Sequence, residues 1–470
     1  MTLIGILKKK LMGVEAIFRD YEIPQKSYIN PQIDSKSIIK NKIYKNVKRS
    51  CTFLQNYFNI QVLKRESLSK TLQLFATNNE NRQVFIKLFL DPVQKEISKD
   101  NITYPVYIRD NSLMIEVCIY SCIIPILSEY NTPFVINFIE HQICSIKDQD
   151  EKFSILNQGI QDLINWDYEE IYNHEKFHLL ITERISNFIP FYEWLESQHN
   201  INEYKIIFFQ IYWSLACFSK IKLKHNDLHF NNILIETEPE PSLYYFEIKS
   251  RGKTRIIKLE TRYRVRIFDW DNSSFGNLIR NTGLTDLVDI YINPGYDVYI
   301  LSCRINKIMD VISKNLTQIE IEEITNFLNY FSNYKRIDND KIIETIVPKL
   351  NKESLDLLKI DPDHPKIKRA KKISEDCQPR QKTYPDGIFE DSKESDKWEY
   401  TKGNIIYLDY DLPQFLIDTP FFANYEILQR PQNIKIFELP STNEENFMSE
   451  SIKTNFPGLL SENVEEYNEE

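Results

Sequence analysis

Lys224-His225-Asn226-Asp227-Leu228-His229-Phe230-Asn231-Asn232-Ile233-Leu234-Ile235 sets two imidazoles, a carboxylate and a carboxamide within eight residues, then turns apolar. Such a pattern reads as a polar loop feeding a buried strand. Asp227 can take a proton from a hydroxyl, and Asn232, five residues on, can offer an amide oxygen to a metal ion. What the rest of the chain supplies decides whether that pair works together.

Upstream, residues 60–63, 71–76 and 83–90 alternate as half-buried strands, with the polar stretch 77–81 as a turn. Lys87 lies inside the third strand. Alone it reads as a strand-edge lysine facing water. However, Ser112 can cap a run in which Leu113, Ile115, Ile119, Tyr120, Ile123 and Ile124 fall at helical spacing, with Glu116 among them. A carboxylate on the apolar side of a helix is costly unless paired, and Lys87 is its natural partner. Residues 133–138 and 177–184 read as further strands, the second ending in a polar hinge, and 145–175 as an irregular polar insertion. A helix over 203–220 is apolar nearly all round, so it is expected inside a domain. After Ile235, residues 236–261 read as an inserted hairpin split at Arg251-Gly252, and 263–271 as a strand that delivers Asp269 and Asp271. Asp297 opens a later helix, where an aspartate is a good cap in any protein.

Composition narrows the class. At 470 residues the chain is long enough for two or three domains or one large bilobal unit. A net charge of −10 removes any global electrostatic case for nucleic acid or an anionic membrane. The seven cysteines are scattered, with no C-x-x-C pair, and read as buried thiols of a reducing compartment. The N-terminus runs apolar then basic, the reverse of a signal peptide. No uninterrupted apolar run approaches the roughly 20 residues of a membrane span. A soluble intracellular protein is expected.

The spacing H-x-D-L-x-x-x-N resembles the protein-kinase catalytic loop. Val84-Phe85-Ile86-Lys87 stands where that family has its Val-Ala-Ile-Lys strand, and Asp269-Trp270-Asp271 where it has Asp-Phe-Gly. The resemblance covers roughly residues 60–330. It implies an α+β, bilobal protein-kinase-like fold: a small antiparallel-sheet N-lobe with one main helix, and a larger, mainly helical C-lobe. The implied boundaries are an N-terminal extension over 1–55, the N-lobe over 56–185 and the C-lobe over 186–360. A C-terminal extension with a mobile loop would pack on the C-lobe over 361–440, and an acidic, disordered tail would follow over 441–470.

The implied chemistry is transfer of the γ-phosphoryl group of ATP to a hydroxyl, with Mg²⁺. Lys87, held by Glu116, would orient the phosphates; Asp227 would activate the acceptor; Asn232 and Asp269 would hold the metal, with Asp271 as a further metal-facing carboxylate. Thr182 would guard the back of the adenine pocket, and the backbone from Glu183 to Ile185 would pair with adenine. His225 and Asp297 would support the loop, and His229 would touch the γ-phosphate.

Four departures qualify the likeness. The segment 66–71 has no glycine where a phosphate loop needs it, leaving the hydroxyls of Ser67 and Ser69 as donors. Asn226 replaces the arginine that would receive an activation-loop phosphate, so no such switch is expected. The stretch from Asp269 to Asp297 lacks Ala-Pro-Glu. His229 stands where a lysine is usual. With these features the chain is similar to haspin-like kinases and kinases of large DNA viruses, and also to aminoglycoside and choline phosphotransferases. The reading taken is a serine/threonine protein kinase with ATP and a protein substrate as partners. The alternatives are a small-molecule kinase and a catalytically silent scaffold.

Overall fold

Apolar residues alternate along 83–91, and that alternation organises the N-terminal half. The computed structural model describes residues 51, 53–63, 70–99, 102–107, 112–146, 154–167, 172–276, 278–279, 295–332 and 411–460. Apart from Gly295 they fall in one unit of the chain. Its strands are β1 (Tyr57–Val62), β2 (Leu72–Asn78), β3 (Gln83–Asp91), β4 (Val93–Lys99), β5 (Ile102–Tyr107), β6 (Phe138–Ser145), β7 (Asn173–Glu183), β8 (Phe188–Pro190), β9 (Leu223–Lys224), β10 (Ile233–Ser250), β11 (Lys253–Ile267), β12 (Ser274–Phe275) and β13 (Phe437–Glu438). The α-helices of six or more residues are α1 (Ser112–Cys122), α2 (Ser154–Trp166), α3 (Phe191–Glu196), α4 (Ile201–Lys220), α5 (Tyr296–Lys307), α6 (Gln318–Ser332), α7 (Leu412–Asp418) and α8 (Thr442–Asn455).

The N-lobe is a five-stranded antiparallel sheet in the order β1-β2-β3-β7-β6. Val84, Ile86, Leu88 and Leu90 face one side, in a core with Leu156, Ile160 and Leu163 of α2. The period of two then sends Phe85, Lys87 and Phe89 to the other face. Helix α2 lies in the stretch read from sequence as an irregular loop; Leu156, Ile160 and Leu163 give it a helical stripe. Gly159 lets it approach the sheet, because a Cβ there would stand 2.4 Å from Leu72 Cδ2. After β3 the chain forms a β4–β5 hairpin.

Cys51 and Cys144 form a disulfide that ties the segment ahead of β1 to β6. This corrects the expectation that every cysteine is a reduced thiol; the two are 93 residues apart, and no spacing motif marks them.

Under the sheet, His178 Nε2 lies 3.0 Å from Asp91 Oδ1, and His141 Nε2 lies 3.0 Å from His178 Nδ1. Asp91 accepts from His178, so His178 Nδ1 accepts from His141, and His141 Nδ1 has no partner among the described residues. Burial, and then the neighbouring His178, hold His141 well below the ordinary histidine value. A lowered histidine pKa makes the unfolded chain the stronger proton binder. Its contribution is therefore present above about pH 6.5 and lost as pH falls below it. Urea unfolding at about pH 7.5 and about pH 5.5 is expected to show a smaller acid-induced loss for His141→Phe than for the wild type.

The run Ser112–Asn131 is, among the described residues, long and apolar enough to cross a membrane, contrary to the sequence reading. However, 78% of its most apolar window is buried within the protein, as expected of a core helix.

In the C-lobe, α4 starts at an Asn200–Glu203 capping box and is buried along most of its length. It packs beside the long β10–β11 hairpin, whose turn at Arg251 (φ 46°) and Gly252 (φ 78°) has the two positive φ values of a type I′ turn. The hairpin is longer than the sequence suggested. It starts at Ile233 paired with Ile267, so the strand leaving the polar loop and the strand leading to Asp269 are its two arms. Phe327 stacks on Phe421 at 4.4 Å, and Phe208 stacks on both.

The expected disordered tail instead contains α8. Its Met448 and Ile452 are fully buried, and the helix packs against α1. Glu445 pairs with Lys222 at 3.0 Å, Asn131 Nδ2 donates to the Glu438 carbonyl at 2.9 Å, and Leu460 bridges to Ile279. This strap joins α1 to the chain on both sides of the polar loop. Ile452→Ala is expected to cost about 2–5 kcal/mol, as for other buried large-to-small changes, read by urea unfolding.

Candidate active site

Strand parity puts Lys87 on the sheet face that meets α1. Its Nζ donates to Glu116 Oε1 and Oε2 at 2.8 and 3.0 Å and also to Asp269 Oδ1. Burial alone would lower Lys87. The carboxylates of Asp269, Glu116 and Asp271 outweigh it and hold the ammonium well above its ordinary value. Burial pushes Glu116 up, with Lys87 only partly offsetting it. For Asp269 the order is reversed: burial would raise it, but Lys87 prevails and holds it below the usual carboxylate range. Asp271, desolvated and beside Asp269, is pushed up to about 8.

The pair opens into a cavity of ≈ 330 Å³ between the sheet and the hairpin. Thr182, Glu183 and Ile185 line it together with Lys87, Glu116 and Asp269. Apolar walls come from residues the sequence did not single out, among them Phe75, Phe85 and Phe188, and the Arg184 guanidinium sits 3.8 Å above the Phe75 ring. The Glu183 carboxylate turns away to Arg266 and to the Asn137 N–H. Its own N–H donates to Asn137, and that of Arg184 to Gln83. Ser67 and Ser69 lie outside the described residues.

The polar loop is held from three sides. Asp297 is buried and accepts from the His225 and Asn226 amides at 2.8 and 2.9 Å. Burial pushes its carboxyl up, and the charge and amide of His225 partly offset this. His225 Nε2 lies 2.8 Å from the Phe268 carbonyl. A carbonyl only accepts, so Nε2 carries the proton and ties the loop to the residue before Asp269. Asn232 Nδ2 donates to the Asp227 carbonyl at 2.9 Å, which turns its Oδ1 to the opposite side. The hairpin base then sets Asn232 beside Phe268 and Asp269, with Phe268 N–H donating to Asn232 at 3.2 Å.

His229 Nδ1 accepts from the Asn231 amide at 3.1 Å, so a neutral ring carries its proton on Nε2, 3.8 Å from Asp227 Oδ2. Burial lowers its pKa more than Asp227 restores it. The ring can therefore donate without bringing a fixed charge.

Asn226 and Asn272, to which the sequence reading gave no such role, hold the loop. Asn226 takes φ 63°, and Asp269 φ 69°. A non-glycine residue held in this region costs about 1–3 kcal/mol and persists only where its surroundings demand it. Asn226 Nδ2 donates to the Asn272 carbonyl at 2.9 Å and to Ser274 Oγ at 3.1 Å. Asn272 Nδ2 in turn donates to Asp227 Oδ2 at 3.2 Å.

The donor set fits magnesium. Asp269 and Asn232 offer hard oxygens at one hairpin base, and the carboxylate of Asp271, two residues after Asp269, is a further oxygen donor. Among the described residues no three His, Cys, Asp or Glu side chains converge as a metal cluster, so phosphate oxygens and water would complete the shell.

The element order defines a bilobal α+β fold of protein-kinase-like architecture: an antiparallel sheet with one buried helix, then a mainly helical lobe with a polar loop and hairpin between. No protein-family pattern matches the chain, and no curated protein does. Among solved structures it is similar to a MAP kinase from Leishmania major, with a TM-score of 0.35 and 12% identity. That match covers 89% of this chain and 98% of the other.

Proposed function

We propose that the protein is an ATP-dependent phosphotransferase acting on a hydroxyl, with serine or threonine of a protein as acceptor. The observation that carries this reading is the meeting of Glu116, Lys87 and Asp269 inside a cavity walled by aromatic side chains. Adenine would lie against Phe75 and Phe85. Its edge would pair with the Glu183 carbonyl and the Ile185 amide, because the Glu183 and Arg184 amides already donate to Asn137 and Gln83. Lys87 would hold the phosphates. Bound Mg²⁺, held by Asp269 and Asn232, would neutralise charge on the phosphate oxygens.

Asp227 orients the acceptor hydroxyl and takes its proton as the oxygen bonds to the γ-phosphorus. The bond from that phosphorus to the β,γ-bridging oxygen breaks, and its electron pair leaves with ADP. The proton passes from Asp227 to water. The Nε2–H of His229 would donate to a γ-phosphate oxygen. A small-molecule acceptor is the second reading, favoured by the additional, half-buried carboxylate of Asp271 two residues after Asp269.

Purified protein with Mg²⁺ and γ-labelled ATP, offered basic proteins in one series and amino-alcohols and sugars in another, tests both. Label on protein serine or threonine supports the first reading, and label on a small alcohol the second. ATP that raises the melting temperature with no transfer to either series overturns both and leaves a nucleotide-binding scaffold.

A further inference from the structure

We infer that Asn272 is a positioning residue that aims the Asp227 carboxylate, and that Asn226 holds Asn272 in place to do so. This rests on the phosphotransfer reading above. Among the described residues, Asn272 Nδ2 is the one side-chain donor within hydrogen-bond distance of this carboxylate, at 3.2 Å from Oδ2. His229 Nε2, at 3.8 Å, stands too far away to hold it. Asp227 is more than a third exposed, so packing alone does not select its rotamer. A donor fixed on Oδ2 leaves Oδ1 to meet the acceptor hydroxyl in one orientation, and proton transfer depends steeply on such alignment.

The donor is useful only if its own backbone is fixed. The Asn272 carbonyl accepts from Asn226 Nδ2 at 2.9 Å, and Ser273 and Ser274 behind it are fully buried. Ser274 also pairs with Lys224 across β9 and β12. Asn226 is anchored in turn by Asp297 through its amide. Its left-handed backbone is the conformation in which that amide and the Nδ2 serve two different elements at once. The chain thus connects Asp297, Asn226, Asn272 and Asp227 in sequence. An asparagine that only capped a surface turn would need none of these links.

Three proteins test this: the wild type, Asn272→Ala, and Asn272→Asp, which keeps the shape and loses the donor. Both variants are expected to lower kcat about 10- to 100-fold while KM for ATP and the ATP-induced rise in melting temperature stay within about twofold of wild type. An Asp variant with wild-type kcat, or a loss that falls on KM for ATP, overturns the inference. Crystal structures of wild type and Asn272→Ala give a readout that needs no turnover. The Asp227 carboxylate is expected to leave its orientation in the variant, and an unmoved carboxylate overturns the inference even if the wild type transfers no phosphate. A silent wild type in which Asn272→Ala still releases Asp227 counts against the phosphotransfer reading alone.

Discussion

Asp227→Asn is expected to lower phosphoryl transfer by about 10²–10⁴-fold, the range for loss of a general base, while ATP still raises the melting temperature. The substitution is nearly isosteric, and an amide oxygen can still accept from Asn272 Nδ2, so the loop keeps its shape. What disappears is a group able to take the acceptor's proton. The cavity, Lys87 and the metal oxygens are untouched, so nucleotide affinity should hold. Radiolabel transfer and a thermal shift on the same preparation separate the two. A variant that transfers within about tenfold of wild type assigns the base to another residue.

The second large effect is on the fold and the site together. Lys87→Met removes the cation that, alone among the described residues, pairs with both Glu116 and Asp269. Glu116 is 1% exposed, and a buried acid left without its partner costs about 3–5 kcal/mol. The melting temperature should drop accordingly, and the ATP-induced rise should vanish. The pH dependence has a definite sign. Burial already pushes Glu116 up, and Lys87 is its main opposing influence. Without Lys87 the folded chain holds that proton more tightly than the unfolded one. Stability is then greatest below the unfolded carboxylate value and declines as pH rises through the folded one. Denaturation at about pH 8 and about pH 6 should show the variant recovering on acidification more than the wild type does. Equal recovery would mean that Glu116 has found another cation.

Much of this was legible in the sequence because it rests on local periods. Alternation along 83–91 forces Lys87 to one face, the apolar run from Leu113 to Ile124 makes a helix buried all round with Glu116 inside it, and Arg251-Gly252 marks the hairpin turn. The links between distant segments carried no such signal. Asn272 finds Asp227 only because β9 and β12 pair, and two-residue strands leave no pattern. Cys51 and Cys144 meet through the sheet. Helix α8 was hidden by its acidic composition, although Met448, Ile452, Phe456 and Leu459 keep a helical spacing. Composition is a weaker guide than period when a polar helix buries one narrow stripe.

The strap also orders events in time. Asn131 meets Glu438 across 307 residues, and the helix bearing Glu116 is covered by α8, made long after it. Ribosomes add about 5–20 residues per second, so the nascent chain carries its polar loop well before that cover arrives. Until then the apolar side of α1 facing α8 stays open, a surface suited to a chaperone or to aggregation. The Lys87–Glu116 pair would settle only once α8 has been made, and a chain cut upstream of α8 would carry Lys87, Glu116, Asp227 and Asp269 with that pair unsettled.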